Sequence, residues 1–259
     1  SSDLTPNIIC VFSEAFWNID NLQEIEFDKS PIESYNKLKN IGKTVNMISP
    51  SYGGMSENVT FEMLTGASMN YFNIGYIPIM SLYKKTGSEN TPSLIKELNN
   101  NNYYSKIVFG KDYYHCEDTL KKMGFYEYID HDNKCEENEK RGDSISDKYL
   151  IDEVISELEN KKEDKKLFYM VETIETHMPY TKDKFESYDI SITKSKLSED
   201  ANSAILGYAQ GIHDASEALN RLYEYIQNYK EDTIIIFLGD HLPYLHYGEG
   251  INVIDELEY

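Results

Sequence analysis

Apolar positions along the chain fall into short continuous runs separated by stretches with helical spacing. Residues 8–12 (Ile-Ile-Cys-Val-Phe) form one such run, and 234–238 (Ile-Ile-Ile-Phe-Leu) form the clearest. Runs of this length read as strands buried on both faces, the signature of a parallel sheet. Further strands are expected around 44–48, 105–109 and 167–171. Between them, 30–39 reads as a polar helix and 91–99 as a helix with Thr91 as its N-cap and Pro92 in the first position. Residues 146–160 place Tyr149, Leu150, Val154 and Leu158 at helical spacing. The longest amphipathic helix is expected over 201–228, where Ile205, Tyr208, Ile212, Ala215, Leu219, Leu222 and Ile226 recur at three- and four-residue steps. Strand and helix alternate, which predicts an α/β fold with a mostly parallel central sheet and helices on both faces, in one domain over 1–259. The polar stretches 132–143 and 181–200 read as surface excursions, too short to be domain linkers.

Composition narrows the function. With 45 acidic and 25 basic side chains the formal charge is −20, which disfavours nucleic-acid binding through a basic patch. The 22 Tyr and 10 Phe supply buried surface that a disordered acidic chain lacks. No apolar run approaches the ~20 residues needed to cross a bilayer. No basic segment followed by a cleavable apolar core opens the chain, so it reads as cytosolic or as a soluble piece of a longer protein. Cys10, inside an apolar run, reads as a small core residue. Cys116 and Cys135 fall in polar, exposed context, and their pairing does not follow from sequence.

In open α/β sheets ligands bind at the carboxyl ends of the strands. The first run ends in Ser13-Glu14, the last in Gly239-Asp240-His241, and 167–171 leads into Thr173-Ile174-Glu175-Thr176-His177. Two carboxylates and an imidazole converging from separate strands would form a mixed O/N site suited to Mn²⁺, Zn²⁺ or Mg²⁺. Singly, each motif also fits a helix cap or a solvated side chain. Gly53-Gly54-Met55-Ser56 adds a close-approach loop in front of an expected helix start, where free N–H groups and the dipole favour an anion. Ser56 is there either an N-cap or a nucleophile whose hydroxyl needs a base or a metal to activate it.

Four segments together resemble a known family: 6–16, the stretch Gly-Gly-Met-Ser-Glu-Asn-Val-Thr-Phe-Glu-Met-Leu-Thr-Gly at 53–66, Glu-Thr-His-Met-Pro-Tyr at 175–180, and Leu-Gly-Asp-His-Leu-Pro at 238–243. They resemble, in order and over nearly the whole chain, the extracellular catalytic domain of lipoteichoic acid synthases, phosphoglycerol transferases of the sulfatase and alkaline phosphatase superfamily. The resemblance implies that Ser56 occupies the position of the family's nucleophilic threonine. It also implies that Glu14, Ser56, Asp240 and His241 hold one divalent metal, Mn²⁺ foremost, with Mg²⁺ or Zn²⁺ as alternatives, and that His177 contacts substrate. The implied reaction transfers phosphoglycerol from a phosphatidylglycerol-type anionic lipid, through a covalent Ser56 intermediate, to a glycerol-phosphate or sugar acceptor in cell-envelope polymer synthesis or modification. The implied setting is the outer face of the cell membrane of a Gram-positive-type bacterium, with a membrane tether outside this sequence.

The sequence departs from that pattern at 110–118, where the family's aromatic and arginine hold glycerol phosphate. An ungapped comparison puts Cys116 at the arginine and Tyr113 or Tyr114 at the aromatic, leaving Lys111, Tyr114 and His115 as candidate substrate contacts without the bidentate fork of an arginine. A different headgroup, as in a phosphodiesterase or a phosphoethanolamine-type transferase, is therefore the alternative, and a non-catalytic binding module of the same fold is the rival from another class. None of the three cysteines has the Cys-x-Pro-x-Arg context of sulfatases proper, which disfavours sulfate-ester hydrolysis. His213 reads as a packing or surface residue, His246 as a loop residue and His131 as solvent-facing, which favours one metal over two.

Overall fold

The computed structural model describes residues 5–81, 91–112, 115–131, 135–161, 164–247 and 251–252. In chain order the strands are β1 (Asn7–Ser13), β2 (Ile25–Phe27), β3 (Tyr103–Phe109), β4 (Glu127–Asp130), β5 (Lys140–Arg141), β6 (Ser144–Ile145), β7 (Lys166–Glu172), β8 (Ile192–Ser195), β9 (Thr233–Gly239), β10 (His246–Tyr247) and β11 (Ile251–Asn252). The α-helices are α1 (Glu33–Lys39), α2 (Ser56–Thr65), α3 (Pro78–Ser81), α4 (Leu94–Asn100), α5 (Glu117–Met123), α6 (Asp147–Asn160) and α7 (Glu199–Gln227).

The long apolar runs make a five-stranded sheet in the order β4-β3-β7-β1-β9. Every neighbouring pair is parallel, so all five carboxyl ends open on one rim. Successive side chains of a strand face opposite sides, and the two sides are buried under different helices. Cys10 and Phe12 join Ile107, Phe109 and Met170 against Phe61 and Leu64 of α2, Ile95 of α4 and Leu120 of α5. Their neighbours Ile9 and Val11 join Val108, Tyr169 and Val171 against Leu150 and Val154 of α6 and Leu222 of α7. At about 1.5–3 kcal/mol per fully buried large apolar side chain, these two layers are what hold the rim in place. A third core packs Ile205, Tyr208 and Ile212 of α7 against Ala15, Ile19 and Ile32, which anchors the chain leaving β1. The α/β architecture expected from the sequence, a parallel central sheet with helices on both faces, is the one observed. No helix among the described residues is long and apolar enough to cross a membrane.

Several local expectations are corrected. Residues 44–48 form no strand, and Val45, Met47 and Ile48 are exposed, because no neighbouring strand takes up their backbone groups. The N-cap of α4 is Ser93 rather than Thr91: its Oγ accepts from the Lys96 N–H at 3.2 Å and also bonds the Met123 carbonyl. Cys116 is buried rather than exposed, packed in the α2-side core with its N–H donated to Asp112 at 2.5 Å, and no disulfide joins the three cysteines. His131 is not solvent-facing but pairs with Glu153 at 2.7 Å. His246 lies in a short antiparallel ladder with β11 rather than in a loop.

Gly239 closes β9 where the chain leaving β1 crosses it. A Cβ on residue 239 would lie 2.0 Å from the Phe16 carbonyl oxygen, a contact only backbone movement relieves. Gly239→Ala is therefore expected to destabilise the fold by about 3 kcal/mol or more, read as a lowered urea midpoint in equilibrium unfolding.

Candidate active site

The rim collects acidic and imidazole groups from three strand ends. β1 delivers Glu14, β7 delivers Glu172 and Thr173, and β9 delivers Asp240 and His241, all buried. The turn into α2 brings Ser56 to the same place. Gly53 and Gly54 run at φ 65 and 147, and Met55 follows at φ 70 and ψ 42, a left-handed conformation that costs a non-glycine residue roughly 1–2 kcal/mol. This turn is tied to the loop after β9 by a bridge between Tyr52 and Leu242 and by the Gly53 N–H donated to the Leu242 carbonyl at 3.1 Å. No side chain caps α2, so the positive end of its dipole faces the cleft at Ser56.

Ser56 donates its hydroxyl to Asp240 Oδ2 at 2.6 Å. The other oxygen, Oδ1, accepts from the backbone N–H groups of Ala15 and His241, each at 2.7 Å, which fixes the carboxylate plane. His241 Nδ1 lies 2.9 Å from the Leu242 carbonyl. A carbonyl only accepts, so Nδ1 carries a proton and Nε2 is the nitrogen left to act as a ligand. That nitrogen lies 3.6 Å from Glu14 Oε1 and 3.5 Å from Asp240 Oδ2. Three electron-pair donors thus face one another, all buried, and they form a ligand set that could hold a metal ion. Bonds of ~2.1 Å at tetrahedral angles would separate ligand atoms by about 3.4 Å, so the observed spacing fits a single cation. The Nδ1–H bond to a backbone carbonyl is the kind of outer contact that orients a ligating imidazole.

Further carboxylates surround this set. Burial pushes Glu14 well above the usual carboxylate range, and the charges of Asp240 and Glu172 add to it. Burial likewise raises Glu172, against the hydrogen bond it accepts from Thr60 at 2.7 Å, and lifts Glu57 to about 7. This concentration of buried acid is a second sign that a cation belongs here.

A cleft of about 420 Å³ opens over Ser56, lined by Glu14, Glu57, Lys111, His177, Asp240 and His241 among others. His177 donates Nδ1–H to the Met178 carbonyl at 2.7 Å, leaving Nε2 as its acceptor nitrogen, and burial holds the ring below the usual imidazole range. The structure therefore brings together Glu14, Ser56, Asp240, His241, His177 and Lys111. His115 is exposed, in a left-handed turn at φ 52, and does not line the cleft. Tyr114 lies outside the described residues, as does Tyr113. Glu57, Thr60 and Glu172 were not singled out from sequence, although an acidic residue closing a buried apolar strand, as Glu172 does, is a readable signal.

Glu175 turns away from the ligand set. Its Oε2 accepts the Asp147 N–H at 2.7 Å, while Oε1 and Asp147 Oδ1 have no hydrogen-bond partner among the described residues. Burial is the main cause that lifts Asp147 to about 7. The folded chain then keeps this proton up to about pH 7 while the unfolded chain releases it near pH 4, so its contribution to stability is full below pH 4 and is lost as pH rises towards 7. Asp147→Asn is expected to lose less stability than the wild type between pH 5 and pH 8, measured by urea unfolding in chelator at both pH values.

The sequence model of the sulfatase family matches residues 6–256. A protein of Rhizobium meliloti (strain 1021) named for modification of cyclic beta-1,2-glucan is 30% identical over 247 residues, covering 93% of this chain and 36% of its own length. The Streptococcus pyogenes phosphoglycerol transferase GacH, solved with sn-glycerol-1-phosphate, superposes with a TM-score of 0.76 at 19% identity, over 93% of this chain and 63% of that one. The lipoteichoic acid synthase LtaP of Listeria monocytogenes superposes with a TM-score of 0.71 at 18% identity, over 92% and 56% of the two chains. This chain thus spans about a third of the curated relative and under two thirds of each of these two structures.

Proposed function

The chain belongs to the sulfatase family, and on that premise we propose that it is a metal-dependent phosphotransferase that moves the phospho-alcohol headgroup of a phosphatidylglycerol-type lipid to an acceptor hydroxyl through Ser56. The observation that carries the reading is the Ser56 hydroxyl held on Asp240 at 2.6 Å, at the uncapped start of α2 and beside Glu14 and His241. The run Ser56-Glu57-Asn58-Val59-Thr60 lacks the x-Pro-x-Arg context of sulfatases proper, which favours phosphoryl over sulfuryl transfer. The likeness to a phosphoglycerol transferase and a lipoteichoic acid synthase supports the headgroup, and the relative named for glucan modification supports a sugar hydroxyl as acceptor. The same likeness supports action at the outer face of a membrane.

One divalent cation, Mn²⁺ foremost, held by Glu14, Asp240, His241 and the Ser56 oxygen, would neutralise charge on the phosphoryl oxygens and lower the proton affinity of Ser56. Asp240 fixes the direction of the Ser56 hydroxyl, so that its oxygen meets the phosphorus opposite the departing diacylglycerol oxygen. The Oγ–P bond forms as the P–O bond to diacylglycerol breaks, and the departing oxygen takes up the proton that Ser56 gives up and leaves as the alcohol. The N–H groups opening α2 receive the phosphoryl oxygens. His177, neutral with Nε2 as acceptor, takes the proton of the incoming acceptor hydroxyl, whose oxygen then displaces Ser56 from phosphorus, and the released Ser56 oxygen recovers that proton.

The test of headgroup and metal together is release of the headgroup from fluorescent phosphatidylglycerol or phosphatidylethanolamine with Mn²⁺ or with chelator. Mn²⁺-dependent release from phosphatidylglycerol supports the reading. Release from phosphatidylethanolamine alone replaces the headgroup, and metal binding without release from either lipid overturns the transferase in favour of a binding module.

A further inference from the structure

A second pocket, about 490 Å³, adjoins the Ser56 cleft and shares Lys111, Ile174 and His177 with it. Its other walls come from the β5–β6 hairpin and from the stretch 178–184, and they bring Lys140 and Lys184 to one cavity in a chain of formal charge −20. Two carboxylates share the wall, Asp143 and Asp183, but both are exposed. Lys184 is half-buried; its ammonium donates to the His177 carbonyl at 2.5 Å, and among the described residues no carboxylate forms an ion pair with it.

Lys184 is held there by the fold. Arg141 of β5 donates to Ser187 Oγ at 3.1 Å and to the Ser187 carbonyl at 2.7 Å, while its Nε pairs with Asp214 of α7 at 2.9 Å. The guanidinium also lies 5.0 Å from the Phe185 ring, so one side chain holds the loop at residues 185 and 187, just after the lysine. Gly142, at φ 63, packs so closely that a Cβ would lie 2.5 Å from the Lys184 carbonyl oxygen. Burial holds the ammonium below the usual lysine range. A half-buried cation held beside a cleft by the hairpin and the loop, acted on through space by Glu175, Asp143 and Glu14 but ion-paired to no carboxylate among the described residues, keeps its ammonium available to an anion that comes from outside.

We propose that this Lys184 pocket binds a second anionic group, a phosphate or a carboxylate, carried by the molecules that react at Ser56. The substrate class then has two negative groups, one at the Ser56 cleft and one across His177. The inference rests on the phosphotransfer reading above and narrows it. The second group belongs either to the donor or to the acceptor.

The test is calorimetric titration of the Mn²⁺-loaded chain with sn-glycerol 1-phosphate and with glycerol 1,3-bisphosphate, in the wild type, Lys184→Met and Lys184→Arg. The wild type is expected to bind the bisphosphate at least about tenfold tighter than the monophosphate, the effect of one desolvated charge pair. Lys184→Met loses that preference while binding the monophosphate within about twofold of wild type, and Lys184→Arg keeps it. Equal binding of both compounds by the wild type, or an undiminished preference in Lys184→Met, overturns the second subsite and leaves the phosphotransfer reading standing. No saturable binding of the monophosphate overturns both. With bis(p-nitrophenyl) phosphate as a singly charged donor, a Lys184→Met loss of transfer to glycerol 1-phosphate but not to glycerol places the group on the acceptor. Unchanged transfer to both, with the bisphosphate preference gone, places it on the donor.

Discussion

Ser56→Ala is expected to lower kcat/KM for headgroup release by at least about 10³-fold while the fold and the metal set persist. The hydroxyl is the one uncharged nucleophile held on the ligand carboxylate, and alanine removes it without filling the cleft or unpairing a backbone group. Glu14, Asp240 and His241 keep their mutual spacing in this variant, so Mn²⁺ is expected to bind within about tenfold of the wild-type affinity, the loss of one ligand oxygen. Steady-state release from fluorescent phosphatidylglycerol and calorimetric Mn²⁺ titration measure the two quantities separately. A variant that binds metal and does not turn over assigns the chemistry to the serine; loss of both would assign Ser56 to the architecture of the site.

Asp240→Asn carries the second large effect, on metal affinity. The carboxylate bonds Ser56 with one oxygen and two backbone N–H groups with the other. Asparagine keeps an acceptor for Ala15 and His241, so the loop after β9 remains anchored. It removes the negative charge that faces His241 Nε2 at 3.5 Å. Mn²⁺ affinity is expected to fall by more than about 100-fold and turnover with it, since outer-sphere changes alone cost 10–100-fold. Added Mn²⁺ should raise the melting temperature of the wild type and leave that of Asp240→Asn unmoved. Asp240→Ala adds a structural penalty of about 1–3 kcal/mol for each unsatisfied buried N–H, which is why the asparagine variant isolates the metal effect.

β1, β3, β7 and β9 were legible because they carry apolar runs and the helices have clean periodicity, as with Ile8 to Phe12 against the three- and four-residue steps of α7, whereas the edge strand β4, Glu-Tyr-Ile-Asp, is too short and polar to read. Residues 44–48 misled because alternating Val45 and Met47 satisfy a strand pattern, whereas a strand also needs a neighbour to hydrogen-bond, which no local pattern reports. Glu14, Asp240 and His241 were readable as polar residues closing apolar runs. Ser56 was readable as the residue after paired glycines. Cys116 and His131 were misjudged because polar sequence neighbours say little about burial when the chain folds back, as it does on Asp112 and Glu153. Lys184 was invisible because it lies in a polar stretch that reads as surface, and only the Arg141 clamp from another element turns it into a pocket wall.

The central claim is that Ser56 takes the phospho-alcohol covalently. Peptide mass spectrometry after acid quench of the Mn²⁺-loaded chain turning over phosphatidylglycerol tests it most directly. The account predicts a phosphoglycerol ester on Ser56 that appears with Mn²⁺, is absent with chelator and disappears on addition of an acceptor alcohol. Turnover at an undiminished rate in Ser56→Ala, with no ester on Ser56 in the wild type, would contradict it.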